Sequence, residues 1–138
     1  MVNSIRKGKA GEREAAKAIQ EVLDLFPGSL RRSQQYSGKG DSSADVIGLP
    51  GVHLEIKRTE KFKLYSSLDQ AHRDAKNDNV PVVIHRQNKR DWVVVLKLDD
   101  LPKLVTTLNF LSTARKSTNG TRIRRTLRNT TQPTEQIQ

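Results

Sequence analysis

The chain has 138 residues, no cysteine and a formal net charge of +10. Its length suits one modest domain with tails, and the missing cysteines exclude a disulfide scaffold, a thiolate zinc site and a cysteine nucleophile. No apolar run approaches the roughly 18 residues that span a bilayer, so we expect a cytoplasmic protein without membrane contact. The positive charge favours an anionic partner, most commonly nucleic acid, although a merely soluble basic protein would look similar.

Half of the positive charge lies at the C-terminal end. Residues 113–138 contain six Arg or Lys residues and one acid, a net charge of +5. Apolar residues nearly vanish there, which predicts a disordered basic tail after a folded domain over residues 1–112. Arg122, Arg124 and Arg125 in this tail can contact phosphates without sequence preference, or the tail can be idle terminal sequence.

The folded part begins with a basic segment and a helix. Residues 1–10 predict a flexible lead-in that can touch phosphates. Apolar residues at helical spacing then predict a helix over 11–26, stopped by Pro27 and Gly28. The basic side chains of the lead-in are Arg6, Lys7 and Lys9.

Two acids in the first turn of this helix face different ways. Helical spacing places Glu12 on the apolar stripe with Ala16 and Ile19, whereas Glu14 points toward solvent. Glu12 can complement the helix dipole, as first-turn carboxylates often do, or it can point toward an acidic cluster formed elsewhere in the chain.

Two short strands joined by a tight turn carry the most informative residues. Residues 44–48 and 52–58 are rich in branched apolar side chains and are separated by Pro-Gly turn chemistry, which predicts a hairpin. On the second strand the period of two puts His53, Glu55 and Lys57 on one face. A surface hairpin with a solvated polar face would give the same pattern, and a lone strand histidine is more often structural or solvated than catalytic.

The remaining segments complete an α/β layout. The order helix, strand, strand, strand, helix, strand, strand, helix predicts a central mixed β-sheet flanked by helices. A Gly- and Ser-rich stretch over 34–43 predicts a mobile loop. The other predicted elements are a strand over 29–33, a helix over 66–78 capped by Ser66 or Ser67, strands over 80–85 and 91–96, and a helix over 99–111.

Two carboxylates and an amine can converge at the hairpin. Mg²⁺ prefers oxygen ligands and is typically held by one or two carboxylates plus substrate phosphate oxygens. Asp45 and Glu55 supply those carboxylates, and the main-chain carbonyl of Ile56 can add a ligand. Lys57 is placed to orient or deprotonate an attacking water, and Glu12 can join directly or through a metal-bound water. The pattern favours phosphodiester hydrolysis with Mg²⁺, or with Mn²⁺ in its place.

The same residues resemble a known superfamily. Asp45, followed after a nine-residue gap by Glu55-Ile56-Lys57, resembles the Asp and Glu-x-Lys core of the PD-(D/E)xK nucleases. Ala44 stands where the name of the motif has proline. The wider context is similar to the archaeal-type Holliday junction resolvases and the related small endonucleases of bacteriophages, from about Lys7 to Ala75. That context consists of Lys7-Gly8, Glu12-Arg13, Arg32, Ser37-Gly38 and Gln70-Ala71.

The resemblance implies a restriction-endonuclease-like fold and a role for each matching residue. It implies metal binding by Asp45 and Glu55, catalytic assistance from Lys57, a helix acid at Glu12 and a supporting glutamine at Gln70. It also implies a homodimer that cuts opposed strands of a four-way DNA junction, in the host cytoplasm if the source is viral. Arg32 and Ser37 would contact DNA or the scissile phosphate. The full set of DNA contacts expected in the folded part is Arg6, Lys7, Lys9, Arg13, Arg31, Arg32, Ser37, Lys39 and Arg58.

Two other functions stay open at this point. A nuclease of the same fold can be a nicking, repair or restriction-type enzyme, because junction choice depends on dimer geometry and on the distribution of surface charge. A noncatalytic nucleic-acid-binding protein can use the basic tail and keep the hairpin only as scaffold. Acids at a phosphate-binding surface argue against that second alternative unless a cation intervenes.

Overall fold

A five-stranded mixed β-sheet with helices on its faces forms the folded part of the chain. The computed structural model describes residues 4–34 and 44–128, with side chains described up to residue 114. The predicted order of helices and strands is confirmed. In chain order the elements are α1 (Ser4–Val22), β1 (Arg31–Arg32), β2 (Val46–Ile47), β3 (Val52–Arg58), α2 (Leu64–Asp74), β4 (Val80–Arg86), β5 (Val93–Val95), a 3₁₀ turn (Leu98–Asp100) and α3 (Leu101–Arg128).

The strands lie in the sheet in the order in which they occur in the chain. β1, β2 and β3 pair antiparallel, as do β4 and β5, whereas β3 and β4 pair parallel through the α2 crossover. In the parallel pair Glu55 lies beside Val83, and Lys57 lies beside His85. Pairing partners share a face of the sheet, so this register decides what surrounds each polar residue of β3.

Both faces of β3 are covered. On one face α1 passes so close to the strand that a Cβ added at Gly11 would lie 2.9 Å from the Cβ of Arg58. On the other face α2 packs Leu68 and Ala71 against Val83 of β4. His53 is 3% exposed and Glu55 is 2% exposed. The surface hairpin with a solvated polar face is therefore excluded.

Helix α1 both begins and ends earlier than its sequence predicts. It starts at Ser4, so residues 4–10 are helical and not a flexible lead-in. The sequence signal is weak there because glycine in a helix interior costs up to about 1 kcal/mol. Asp24 ends the helix with a positive φ of 51°, and Leu25 N–H bonds to the Gln20 carbonyl at 2.8 Å. This Schellman cap stops the helix before Pro27 is reached.

The second helix also differs from the prediction, at its start. α2 begins at Leu64, and Lys63 occupies its N-cap position without a side-chain cap. Ser67, one of the two predicted caps, instead donates from Oγ to the Lys63 carbonyl at 2.7 Å inside the first turn.

The third helix runs farther than its apolar spacing suggests. The sequence predicts an end at Leu111 and disorder from residue 113, yet the backbone is helical to Arg128. Extending an existing helix requires no new nucleation, so a polar stretch can continue it. The chain divides into two compact units, residues 1–104 and 105–138, and most of α3 lies in the second. The rest of the predicted tail lies outside the described residues.

Candidate active site

Strand β3 and helix α2 bring three of the predicted catalytic residues into direct contact. The ammonium of Lys57 lies 2.9 Å from Glu55 Oε1. It also donates a hydrogen bond to Gln70 Oε1 at 2.9 Å. Glu55 and Lys57 share a face because they are two residues apart on a strand, and α2 covers that face with Gln70. The lysine is thus held between an acid and an amide.

Asp45 is fixed beside this group by its backbone and its side chain. Its carbonyl accepts from Ser33 N–H at 2.8 Å, and its own N–H bonds to the Leu54 carbonyl at 3.0 Å. Its carboxylate Oδ2 accepts from the backbone N–H of Ile56 at 2.8 Å. Hydrogen bonds to Ser33, which follows β1, and to Leu54 and Ile56 of β3 therefore hold Asp45 next to Glu55.

A tight turn after β2 keeps this ladder in place. Gly48 has a φ of +112°, and a Cβ there would lie 2.1 Å from the carbonyl oxygen of Ser29. Only glycine fits such a close backbone approach in this conformation. The turn predicted at Leu49, Pro50 and Gly51 follows directly, with Val52 N–H bonding to the Leu49 carbonyl at 3.3 Å.

The two site carboxyls have pKa values shifted in opposite directions. Burial and the nearby charge of Glu55 raise the pKa of the Asp45 carboxyl from 3.8 to about 6, and Glu12 adds to this rise. Burial also opposes ionisation of Glu55, but His53 and Lys57 outweigh it and hold the pKa of Glu55 below its ordinary value. Ionisation is therefore favoured at Glu55 and opposed at Asp45, and Asp45 carries the electrostatic cost.

Glu12 is half-buried and reaches Arg32. Arg32 Nε donates to Glu12 Oε2 at 2.6 Å, which joins α1 to β1. Glu12 is close enough to Asp45 to raise the pKa of that carboxyl, so it contributes negative charge to the site. Its assignment as a metal ligand or catalytic acid stays a prediction.

A family model described as "Phage putative PDDEXK endonuclease" matches residues 3–136. The chain belongs to this endonuclease family. No curated protein and no solved structure matches it. The PD-(D/E)xK resemblance and the restriction-endonuclease-like fold are thereby confirmed, with a mixed five-stranded sheet as expected. Across residues 4–34 and 44–128, no helix is long and apolar enough to cross a membrane.

The donor set of this PD-(D/E)xK protein fits a cation that brings some of its own ligands. Within the described part of the chain, no group of three or more His, Asp and Glu side chains is arranged to hold a metal ion. Asp45, Glu55 and the Ile56 carbonyl remain, which suits Mg²⁺ because it keeps several waters and shares phosphate oxygens. Burial, and after it the charges of Glu55 and Glu12, raise the pKa of Asp45, and a divalent cation would offset both effects.

The PD-(D/E)xK site also includes His53, a type of strand histidine that is more often structural or solvated than catalytic. His53 Nε2 lies 3.8 Å from Glu55 Oε2. That atom is buried and has no hydrogen-bond partner among the residues described. The strand period did place His53 on the face of Glu55, but periodicity alone could not show that α2 buries this face.

The helix acid Glu14 was predicted to point toward solvent, and this is wrong. Its carboxylate pairs with Arg86 Nη1 at 2.5 Å and with Arg58 Nε at 3.4 Å. Both arginines come from neighbouring strands on the α1 face, which a helical projection of α1 cannot reveal. Glu14 therefore ties α1 to β3 and β4.

These ion pairs also bear on the expected DNA contacts. Arg32 and Arg58 would have to release Glu12 and Glu14 before binding phosphate, so their assignment stays a prediction. Lys7 is half-buried on α1, and four other candidates are exposed: Arg6, Lys9, Arg13 and Arg31. Ser37 and Lys39 lie outside the described residues. Arg122, Arg124 and Arg125 lie on the part of α3 for which only the backbone is described.

Proposed function

We propose that the protein is a metal-dependent DNA endonuclease that hydrolyses phosphodiester bonds in branched DNA, with the four-way junction as its main substrate. The observation that carries the proposal is the contact of Lys57 with both Glu55 and Gln70, next to the anchored carboxylate of Asp45. Membership of a phage endonuclease family supports the reaction class. Support for the junction comes from the resemblance of residues 7–75 to junction resolvases.

Each residue has a distinct task in the proposed reaction. Asp45, Glu55 and the Ile56 carbonyl would hold Mg²⁺, which supplies charge neutralisation and a lowered pKa of bound water. Lys57 orients the attacking water and offsets the charge that develops on the phosphate. Gln70 accepts a hydrogen bond from Lys57 and so fixes the direction of its ammonium. Glu12 adds negative charge on the α1 side.

Cleavage and binding assays test the proposed site together. Asp45→Asn and Glu55→Gln should abolish cleavage of DNA and leave its binding within a few fold, because the acids repel phosphate and do not attract it. Asp69→Asn is the matched control, since Asp69 is exposed on α2. Cleavage unchanged in both site variants would rule out this site, whereas a wild-type protein that binds DNA without cleaving it would favour the noncatalytic binding protein.

The substrate is tested with DNA of constant sequence and different shape. A four-way junction and linear duplexes built from the same arms should differ strongly in cutting rate. If the protein acts as the proposed homodimer, the two opposed strands of one junction should be cut in the same complex. Equal rates on junction and duplex would instead support a nicking, repair or restriction-type nuclease.

A further inference from the structure

An open cavity of about 560 Å³ lies at the β4–β5 turn, and its lining does not include Glu12, Asp45 or Glu55. The aromatic and apolar part of its lining, the floor, consists of Phe62, His85 and Val93. The charged part consists of Lys89, Arg90 and Asp91. Both cations are exposed. The cavity thus combines an aromatic and apolar floor with exposed positive charge.

The walls of this cavity are held in place by contacts between the turn and the β3–α2 loop. Phe62 and His85 stack with ring centroids 3.9 Å apart and an interplanar angle of 10°. His85 Nε2 lies 3.0 Å from the Thr59 carbonyl. Gln87 Nε2 donates to the Glu60 carbonyl at 2.9 Å, and the N–H of the next residue donates to the Glu60 carboxylate at 2.7 Å. The cavity is therefore present before any ligand binds.

The sheet register places the cavity beside the proposed catalytic lysine. His85 is the pairing partner of Lys57 on the parallel neighbour β4, so both residues lie on the same face. Adjacent strands are about 4.8 Å apart. A phosphate bound at Lys57 would therefore have the neighbouring nucleotide of its strand within reach of the residues that line the cavity.

We propose that this cavity is a subsite for one unstacked nucleotide of the DNA substrate, next to the scissile phosphate. The base contacts the floor of Phe62, His85 and Val93, and Lys89 and Arg90 bind the adjoining phosphates. The inference rests on the proposed nuclease function and gives it a means of selecting DNA shape.

The chemistry of the lining favours a nucleotide over other anions. Ligand cavities of about 300–1,000 Å³ accept molecules of this size. Bases stack on aromatic side chains without sequence preference, while Lys and Arg bind phosphates. Gln87 and Asp91 line the same cavity and can accept hydrogen bonds from the base edge. Bases in an intact duplex stay stacked, whereas extrusion costs least where DNA is unpaired or mismatched.

Two tryptophan variants on the same strand provide a matched test. Val93→Trp fills the cavity, whereas Val94→Trp places the same bulk on the opposite face of β5. Val93 and Val94 are 48% and 58% exposed, so both positions have room for the larger ring. The probe is a duplex with a single bulged 2-aminopurine nucleotide, compared with the fully paired duplex, in EDTA so that no cleavage occurs.

Val93→Trp should weaken binding of the bulged duplex by about 5- to 150-fold, the range that corresponds to stacking of one base. It should leave binding of the paired duplex nearly unchanged and reduce the 2-aminopurine emission in the complex. Val94→Trp should behave as the wild type. Equal effects of the two variants on the bulged duplex would overturn the subsite.

A lysine pair keeps the test decisive if a tryptophan disturbs folding. Lys89→Ala should weaken binding of the bulged duplex more than Lys97→Ala, an exposed lysine just past β5. Equal losses would also overturn the proposal. If Asp45→Asn abolishes cleavage while the cavity variants match their controls, the subsite fails and the nuclease function stands. If the site variants still cleave, the nuclease site itself fails.

Discussion

Asp45→Asn should make the metal-free protein more stable at neutral pH, and the gain should shrink on acidification. Its folded pKa of about 6 lies above its ordinary value of 3.8, so the folded state binds the proton more tightly than the unfolded state. Ionised Asp45 therefore costs stability above pH 6, and the cost disappears as pH falls toward 3.8. At about 1.4 kcal/mol per pKa unit, the full cost is about 3 kcal/mol, an upper value because Asp45 is partly exposed.

Urea unfolding in EDTA at pH 8 and pH 5 measures this effect. The gain from Asp45→Asn over the wild type should be about 1.4 kcal/mol smaller at pH 5 than at pH 8. This difference does not depend on how well asparagine replaces the hydrogen bond to Ile56. Glu55 does not interfere, because its pKa lies below 4.5 and its ionisation stabilises the fold throughout this range. Asp69→Asn should gain nothing at either pH. An effect of Asp45→Asn that is equal at both pH values would refute the electrostatic account.

Three further outcomes follow from individual contacts. Gly48→Ala should lower the unfolding free energy by about 2 kcal/mol or more, because its φ of +112° and its contact with the Ser29 carbonyl exclude a Cβ. A Cβ added at Gly8 would meet open space, so Gly8→Ala should be neutral or stabilising in the same urea titration. Equal losses of unfolding free energy in the two variants would contradict the turn argument. Lys57→Ala should slow cleavage by about 10²- to 10⁴-fold in single-turnover assays and keep DNA binding, whereas a parallel loss of binding would make it a phosphate anchor. Removal of residues 113–138 should flatten the salt dependence of DNA binding by up to about 0.9 log units per lost phosphate contact, and an unaltered slope would mean that the tail is idle.

The centre of the site could be predicted because strand geometry is local. A period of two puts Glu55 and Lys57 on one face in any β-strand, and the short turn returns the chain so that Asp45 meets β3. Gln70 could be predicted only from the resemblance, because nothing in its own helix indicates that it reaches Lys57. The structure places all four together.

What could not be predicted depends on contacts between distant elements. The apolar stripe of α1 alone predicts that Glu14 faces solvent, yet its partners are arginines of β3 and β4. These ion pairs override the helical projection for Glu14. The ends of α1 and α2 also differ from the sequence prediction, but for local reasons. An aspartate in the left-handed conformation ends α1, while a serine near the start of α2 bonds inward and does not cap it.

The electrostatic cost at Asp45 and its proposed task have the same origin. Burial and the charges of Glu55 and Glu12 disfavour the ionised form of Asp45. Negative potential therefore accumulates at a carboxylate that is held by the Ile56 N–H, on a residue whose own main chain makes two further backbone hydrogen bonds. A divalent cation would interact more favourably with that potential than with a single solvated acid. By linkage, any ligand that binds only the folded state returns stability in proportion to its affinity. In the metal-free state ionised Asp45 therefore lowers the unfolding free energy, and binding of a cation would reverse this loss. Lys57 and His53 stabilise the ionised form of Glu55. Asp45 is therefore the acid whose ionisation depends most on the cation.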